Sequence, residues 1–346
     1  MDKQFFYEML KTDSVSGDEI KLQKKVLKHY QPIADQQLTD ETGNVINVIN
    51  PNSPIKVLMS GHIDEIGLVV TGYTADGFLK VTNAGGIYVS SYLGHQVVVH
   101  TANKDMYGVV VCTRSLSKKS DLAVGDLSID IGVSSKQQAE ELVKIGDTIT
   151  FDTHIREMQD GKISARAIDD RGGAFIILEA LKKAKEKGCQ IGAYASTSVG
   201  EETTMRGAYF AAARINPTMA IIVDVTYTSD YPGVNDYDSG HVELGKGPVL
   251  CCSSIVNKKM NQKLKEIAQE LKIPYQIETF VGRTGTDADK IHLANQGIPV
   301  CLVSLPLRYM HTPSETCHEE DIQNSIDLIA EFLCQIDERF DLNPFS

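Results

Sequence analysis

From Gly172 onward the chain alternates strand-like apolar runs with amphipathic helices, and few folds tolerate that rhythm. "GGAFIILEALKKAKEKG" reads as a helix stopped by Gly188, "IGAYASTSV" as a strand, "RGAYFAAARIN" as a helix ended by Pro217, and "MAIIVDV" as a strand. The helix "NKKMNQKLKEIAQELK", the strand "YQIETF", the helix "TDADKIHLANQG" and the strand "IPVCLVSL" continue the series. A long amphipathic helix, "EEDIQNSIDLIAEFLCQI", closes it. Such alternation predicts an α/β fold, with a mostly parallel sheet carrying helices on both faces.

Upstream, the apolar residues of "MDKQFFYEML" fall on one helix face, and "SGDE" at Ser16 to Glu19 reads as a capping box opening a helix to about Tyr30. "VINVIN" and "IKVLMS" read as strands. Between Gly67 and about Ile163 the texture changes to short β-rich runs ("GLVVTGY", "FLKVTNAGG", "GHQVVVHT", "YGVVVCT", "DTITFDT") separated by Gly, Asn and Asp turns, with one short helix, "SSKQQAEELVKIG". At 346 residues the chain exceeds the usual size of a single core. The expected division is a main domain of residues 1–67 and 164–346, interrupted by an inserted β-rich domain of residues 68–163.

A net charge of −12 argues against nucleic acid and anionic membrane as partners, since phosphate binding needs a basic face. No apolar run reaches the ~20 residues of a membrane span, and the N-terminus lacks the apolar core of a signal peptide. The 7 cysteines form no CxxC pair, which suits reduced thiols and a cytoplasmic location.

Sheets of this kind bind ligands beyond the carboxyl ends of their strands, where the polar clusters of this sequence fall. His62 and Asp64, in "GHIDEIG", follow the strand "VLMS"; Glu201 and Glu202 follow "AYASTSV"; Asp224 ends "AIIVD"; His311 comes shortly after "VCLVSLPL". Asp169 and Asp170, in "RAIDDRGG", lie where the chain re-enters the α/β layer. Taken singly, each has an ordinary explanation as a polar turn, a helix N-cap or a solvated pair. One metal site explains them together. Two His, two Asp and one Glu are O/N donors suited to Zn²⁺, Co²⁺ or Mn²⁺. Five ligands exceed one tetrahedral ion, so two ions sharing a carboxylate and a bridging hydroxide are expected, with a further carboxylate to handle the proton. Adjacent residues of an extended strand point to opposite sides, so the Glu pair can supply one ligand and one base. Asp64 can lie on the face of His62 and orient its imidazole.

"GHIDEIG", "RAIDDRGG", "SVGEETTMRGA", "DVT" and "RYMHTPSE", in this order, resemble the glutamyl and tetrahedral (TET) aminopeptidase family, and "GDLSIDIGVSSKQQAEELVKIGD" resembles the inserted domain of that family. The resemblance implies a dinuclear-metal exopeptidase acting on peptides with a free N-terminus. It implies His62, Asp169 and Asp224 around one metal, and Asp169, Glu202 and His311 around the other, with Asp169 bridging. Glu201 would be the general acid/base, Asp64 the orienting carboxylate, and Asp170 would follow Asp169 through a strained or cis peptide. The insert would dimerise, its bare strand edges inviting pairing, and dimers would join into a dodecamer. The family's Gly-Gly-Thr-Asp-Ala run near the substrate pocket is here "GRTGTDADK", with Thr284 replacing the first glycine and Arg283 before it. Arg283 is a candidate partner for an acidic substrate side chain, its alternative being an interface or solvent-facing residue. Other readings are a metal-dependent amidohydrolase or deacylase of similar architecture, or an inactive scaffold that keeps the ligands. The endoglucanase label carried by some family members fits poorly, because glycosidases work with a carboxylate pair.

Overall fold

A computed structural model of the protein describes residues 1–235 and 240–346. Helices α1 (Lys3–Lys11) and α2 (Ile20–Tyr30) precede strands β1 (Gln36–Thr39), β2 (Val45–Ile49) and β3 (Lys56–His62). A closed barrel follows, built of β4 (Gly67–Tyr73), β5 (Leu79–Ala84), β6 (Gln96–His100), β7 (Asp105–Val110), β8 (Ser128–Asp130) and β9 (Thr148–Phe151), with helix α3 (Lys136–Leu142) before its last strand. Strands β10 (Arg156–Glu157) and β11 (Lys162–Ala165) lead back to helix α4 (Ile168–Glu186). Then come β12 (Gly192–Ser198), α5 (Arg206–Ile215), β13 (Met219–Tyr227), β14 (Val249–Ser253), α6 (Lys258–Leu271) and β15 (Gln276–Phe280). The chain finishes with α7 (Ala288–Ile291), β16 (Val300–Leu307), β17 (Glu315–His318) and α8 (Glu319–Gln335). None of the described helices is long and apolar enough to cross a membrane.

The 8-stranded main sheet has the order β1-β2-β12-β3-β13-β16-β14-β15. Its centre, β12-β3-β13-β16, is parallel throughout, as the alternation predicts. The flanks depart from that expectation: β2 runs antiparallel to β12, and β14 antiparallel to β16. The central strands read as unbroken apolar runs because both their faces are covered. On β3, Val57 and Met59 join the core that contains Phe175, Leu178, Leu328 and Ile329 of α4 and α8. Leu58, between them, joins the opposite core with Ala208 and Ala211 of α5 and Ile291 of α7. Ile221 and Val223 against Ala220 and Ile222 repeat this alternation on β13. Each fully buried aliphatic side chain contributes roughly 1.5–3 kcal/mol.

The barrel has a core of its own, in which Leu68, Val70, Val97, Val99, Ile129, Ile149 and Phe151 point inward. Its strands have one face toward that core, hence their interrupted apolar pattern. Outside the barrel, β11 pairs with both β10 and β17, placing Ala165 opposite Glu315.

Two local expectations differ from the structure. The "SGDE" capping box does not form: Glu19 occupies the N-cap of α2 without a side-chain cap and accepts from the Gly17 N–H at 2.8 Å, while the Ser16 hydroxyl lies 3.0 Å from that of Thr203. The helix expected from "TDADKIHLANQG" shrinks to the single turn of α7: past Ile291 the backbone passes into i→i+3 turns, Leu293 N–H to the Lys290 carbonyl and Ala294 N–H to that of Ile291, while the Asp289 carboxylate accepts the N–H groups of Thr284 and Gly285 ahead of the helix.

Helix α4 lies directly on β3. A Cβ on Gly61 would stand 2.7 Å from the Ala174 nitrogen and 2.8 Å from the Gly173 carbonyl carbon, closer than packed atoms allow. This glycine lets "RAIDDRGG" touch "GHIDEIG" one residue before His62. Gly61→Ala is therefore expected to cost about 1–3 kcal/mol as an overpacked core site. A lower urea midpoint at unchanged slope would show it, and a midpoint equal to the parent's would contradict the close approach.

Candidate metal centre

The carboxyl ends of the central strands deliver the predicted residues to one place. His62 is the last residue of β3, Glu201 and Glu202 follow β12, Asp224 lies within β13, and His311 follows β16. Asp169 and Asp170 begin α4 in non-helical conformation, joined by a cis peptide. His62 Nε2 is 3.1 Å from Asp169 Oδ1, and His311 Nε2 is 3.2 Å from Asp169 Oδ2, so each oxygen of Asp169 meets one imidazole. His311 Nε2 also lies 3.4 Å from Glu202 Oε1, and His62 Nε2 lies 3.8 Å from Glu201 Oε2. Donor atoms of His62, Asp169 and Glu202 fall within 4.8 Å of one another, as do those of His62, Asp170 and Asp224.

Behind these side chains, buried carboxylates hold the backbone. Asp64 accepts the N–H groups of Glu201 at 3.1 Å and Glu202 at 3.2 Å. Its own carbonyl oxygen is 3.1 Å from His62 Nδ1, nearer than its carboxylate at 3.4 Å, so residue 64 meets the imidazole chiefly through its backbone. Asp170 accepts from the N–H groups of His62 (3.1 Å) and Gly173 (2.9 Å). Glu315 accepts from those of Asp169 (3.1 Å) and His311 (2.8 Å). Asp287, from the "TGTDA" stretch, takes hydroxyl hydrogens from Ser198 (2.6 Å) and Ser60 (3.1 Å) beneath the strand ends. Arg283 is not brought to the cluster face: its side chain is 83% exposed, 3.8 Å from Asp289.

Charge decides what this arrangement can hold. Burial, reinforced by neighbouring carboxylates, pushes the carboxyls of Asp170, Glu201, Asp224 and Glu315 well above the usual carboxylate range, and Asp287 up to about 6. Burial opposes charge on Asp169 too, but the hydrogen bonds from His311 and His62 outweigh it and hold that carboxyl low. Burial likewise disfavours a charged His311, yet Asp169 and Glu202 raise its pKa to about 12. Among the described residues, the ion-pair partners of the cluster are these two histidines, with no Lys or Arg. Oε1 of Glu201 and of Glu202 are buried without a hydrogen-bond partner. A crowd of hard oxygen donors and two imidazoles, with orphaned carboxylate oxygens and no fixed cation, fits divalent metal.

Fold and donor set together are those of a candidate metal-dependent hydrolase. Residues 43–328 match the M42 glutamyl aminopeptidase family, and the chain belongs to it. It is 30% identical to the lysyl aminopeptidase of Pyrococcus furiosus over 341 residues, 96% of this chain and 97% of that one. Its fold matches the TET aminopeptidase of a marine sediment archaeon of the Thaumarchaeota with a TM-score of 0.91, at 28% identity and covering 98% and 97% of the two chains. The TET1 peptidase of Pyrococcus horikoshii, which can assemble into a tetrahedron or a large octahedral shell, matches at 0.87, with 29% identity and 96% and 99% coverage.

Two groups of residues have no counterpart in the reading of the sequence. Glu65, the remaining acid of "GHIDEIG", pairs with Arg166 and, at 2.5 Å, with Arg171; all three are buried. The matching signal was the Arg on either side of "DD" in "RAIDDRGG". Glu315 ends "RYMHTPSE", but nothing in its spacing announces that it holds two ligand backbones. Glu315→Gln keeps one acceptor and turns an amide donor toward the other N–H, leaving a buried donor unpaired. Affinity for divalent cations should fall ~10–100-fold, read by calorimetric titration of metal-free protein, with the far-UV dichroism unchanged. Unaltered affinity would mean that the ligands hold their places without Glu315.

Proposed function

We propose that the chain is an aminopeptidase that hydrolyses the N-terminal peptide bond of peptides at a dinuclear metal centre. The observation that carries this reading is Asp169, whose two carboxylate oxygens each face a different imidazole, as a carboxylate shared between two cations must. His62, Asp169 and Asp224 would hold one ion, and Asp169, Glu202 and His311 the other, with Zn²⁺ or Co²⁺ favoured and Mn²⁺ third. Asp170 is less suited to bridging, since both its oxygens already accept backbone N–H groups. When bound, the ions supply Lewis acidity to the peptide carbonyl and to the attacking water. Glu201, buried and with Oε1 unpartnered, takes the proton of that water at Oε1 and returns it to the leaving amine nitrogen. Asp64 keeps Glu201 and Glu202 in register through their N–H groups and fixes the His62 ring.

Kinetics beside elemental analysis tests these roles. Glu201→Gln should lower kcat ~10²–10⁴-fold with metal content unchanged. Glu202→Gln should lose occupancy and recover part of its activity in excess metal, and chelation should abolish activity in the parent. Metal loss in Glu201→Gln with full occupancy in Glu202→Gln would reverse the two assignments. Absence of turnover on every free-amine peptide by metal-loaded protein would sink the aminopeptidase reading.

The same reading takes residues 68–163 as an inserted dimerisation domain and the working form as a cytoplasmic homo-oligomer, dimers joining into a dodecamer. Closure of the barrel removes the bare strand edges from this argument. Its support is instead the apolar surface of Tyr107 (70% exposed), Val109, Leu142 and Ile145 (66% exposed) on the barrel segment, together with the assembly of the Pyrococcus horikoshii relative. Light scattering after size exclusion should give at least a dimer, and a strictly monomeric species at micromolar concentration would refute it.

A further inference from the structure

Among the described residues of the centre, His311 is the most open to solvent. Side-chain exposure is 1% for His62, 6% for Asp169 and Glu202, and 8% for Glu201, but 22% for His311. A substrate therefore arrives past His311, where four tyrosines from three segments gather, Tyr227 and Tyr231 belonging to one connection. Tyr309 lies two residues before His311 and Tyr227 three residues beyond Asp224. The Tyr231 and Tyr309 rings meet edge-on at 5.1 Å. Tyr88 comes from the barrel segment, with its ring centroid 6.5 Å from that of His311 and its hydroxyl 3.0 Å from that of Tyr227. Gly85 allows this approach: a Cβ there would stand 2.7 Å from Ile66 Cγ2 and 3.1 Å from Glu202 Oε2. Gly86 lies against the His311 ring, where a Cβ would sit at an ordinary 3.6 Å.

The rim is apolar in what it offers. Tyr88, Tyr227 and Tyr309 are 50%, 46% and 41% exposed, and one hydroxyl of the first two donates to the other, so much of what they present is ring surface. Among the described residues of the rim, Arg308 and Asp230 are closed on one another. Arg308 donates to Asp230 from Nε at 2.9 Å and Nη2 at 2.7 Å, and the Leu244 N–H adds a third bond to the same carboxylate at 3.0 Å. Neither partner is left for a charged substrate side chain. Arg283 belongs to the exposed loop beside Asp289.

We infer that Tyr88, Tyr227, Tyr231 and Tyr309 form the surface that receives the side chain of the substrate's N-terminal residue, selecting large apolar and aromatic residues over acidic, basic and small ones. This rests on the aminopeptidase reading and deepens it. Tyr88 makes the barrel segment a specificity determinant of a site otherwise built by the main sheet.

The test uses the metal-loaded protein and the p-nitroanilides of Ala, Leu, Phe, Lys and Glu. Leu and Phe should lead in kcat/KM. Tyr227→Ala and Tyr88→Ala should each lower the Phe and Leu values ~10–100-fold while moving the Ala value less than about threefold. Tyr227→Phe, which keeps the ring, should keep the ranking. Equal losses on Ala- and Phe-anilide, or Lys or Glu ranking above Phe and Leu, would overturn the inference. Calorimetric titration with L-phenylalanine and glycine separates it from the reading beneath it. Were no anilide cleaved, the aminopeptidase reading would fail. Tighter binding of L-phenylalanine than of glycine, lost in Tyr227→Ala, would still support the tyrosine surface, and indifference between the two ligands would overturn it.

Discussion

One end of the main sheet gathers more negative charge than the side chains around it can neutralise. Asp64, Asp169, Asp170, Glu201, Glu202, Asp224, Asp287 and Glu315 converge on two imidazoles, and among the described residues none of these acids has a Lys or Arg partner. Like charges in a low-dielectric pocket repel by several kcal/mol unless protonated or paired. The arrangement makes physical sense as the cradle of cations, and the surrounding structure serves to keep it from springing apart.

Backbone amides do most of that work. Asp64, Asp170 and Glu315 each accept two N–H groups from segments that carry site side chains, so residues 62, 169, 201, 202 and 311 are tethered by hydrogen bonds that need no metal. Each such bond contributes on the order of 0.5–1.5 kcal/mol, and more where the carboxylate is charged. These bonds also satisfy donors at strand and helix ends that would otherwise be buried unpaired. Below them, the Glu65 pairs with Arg166 and Arg171 lock the turn after β3 to the start of α4. Such a buried cluster specifies one packing of the two motifs, because removing a single partner would strand a charge in the interior.

Much of this was legible in the chain itself. The central strands announced themselves because cover on both faces forces unbroken apolar runs, and the polar residues at their ends stood out against that background. The α4 entry could be placed because "DD" preceded an unmistakable helix. Less visible were features set by tertiary partners. The Glu19 carboxylate bonds the Gly17 amide rather than completing a capping box, and α7 gives way after one turn to i→i+3 turns. The five residues of β14 lie antiparallel to β16 because of their place in the sheet, and no local pattern marks that direction. Barrel closure was equally hidden, since pairing of β6 with β9 joins segments far apart in sequence. Glu315 and the tyrosines look like ordinary loop residues until the fold brings them to His311.

The lean of Gly85 to Tyr88 over the centre divides authorship of the site. The donors of the centre sit at strand ends tethered by buried hydrogen bonds, whereas part of the mouth is written by a connection in the barrel, whose core is separate. Drift in that connection can retune what enters without disturbing the donors or their tethers. Three of the four tyrosines stay with the main domain, so a change in the barrel connection alters one wall of the mouth and leaves the others standing.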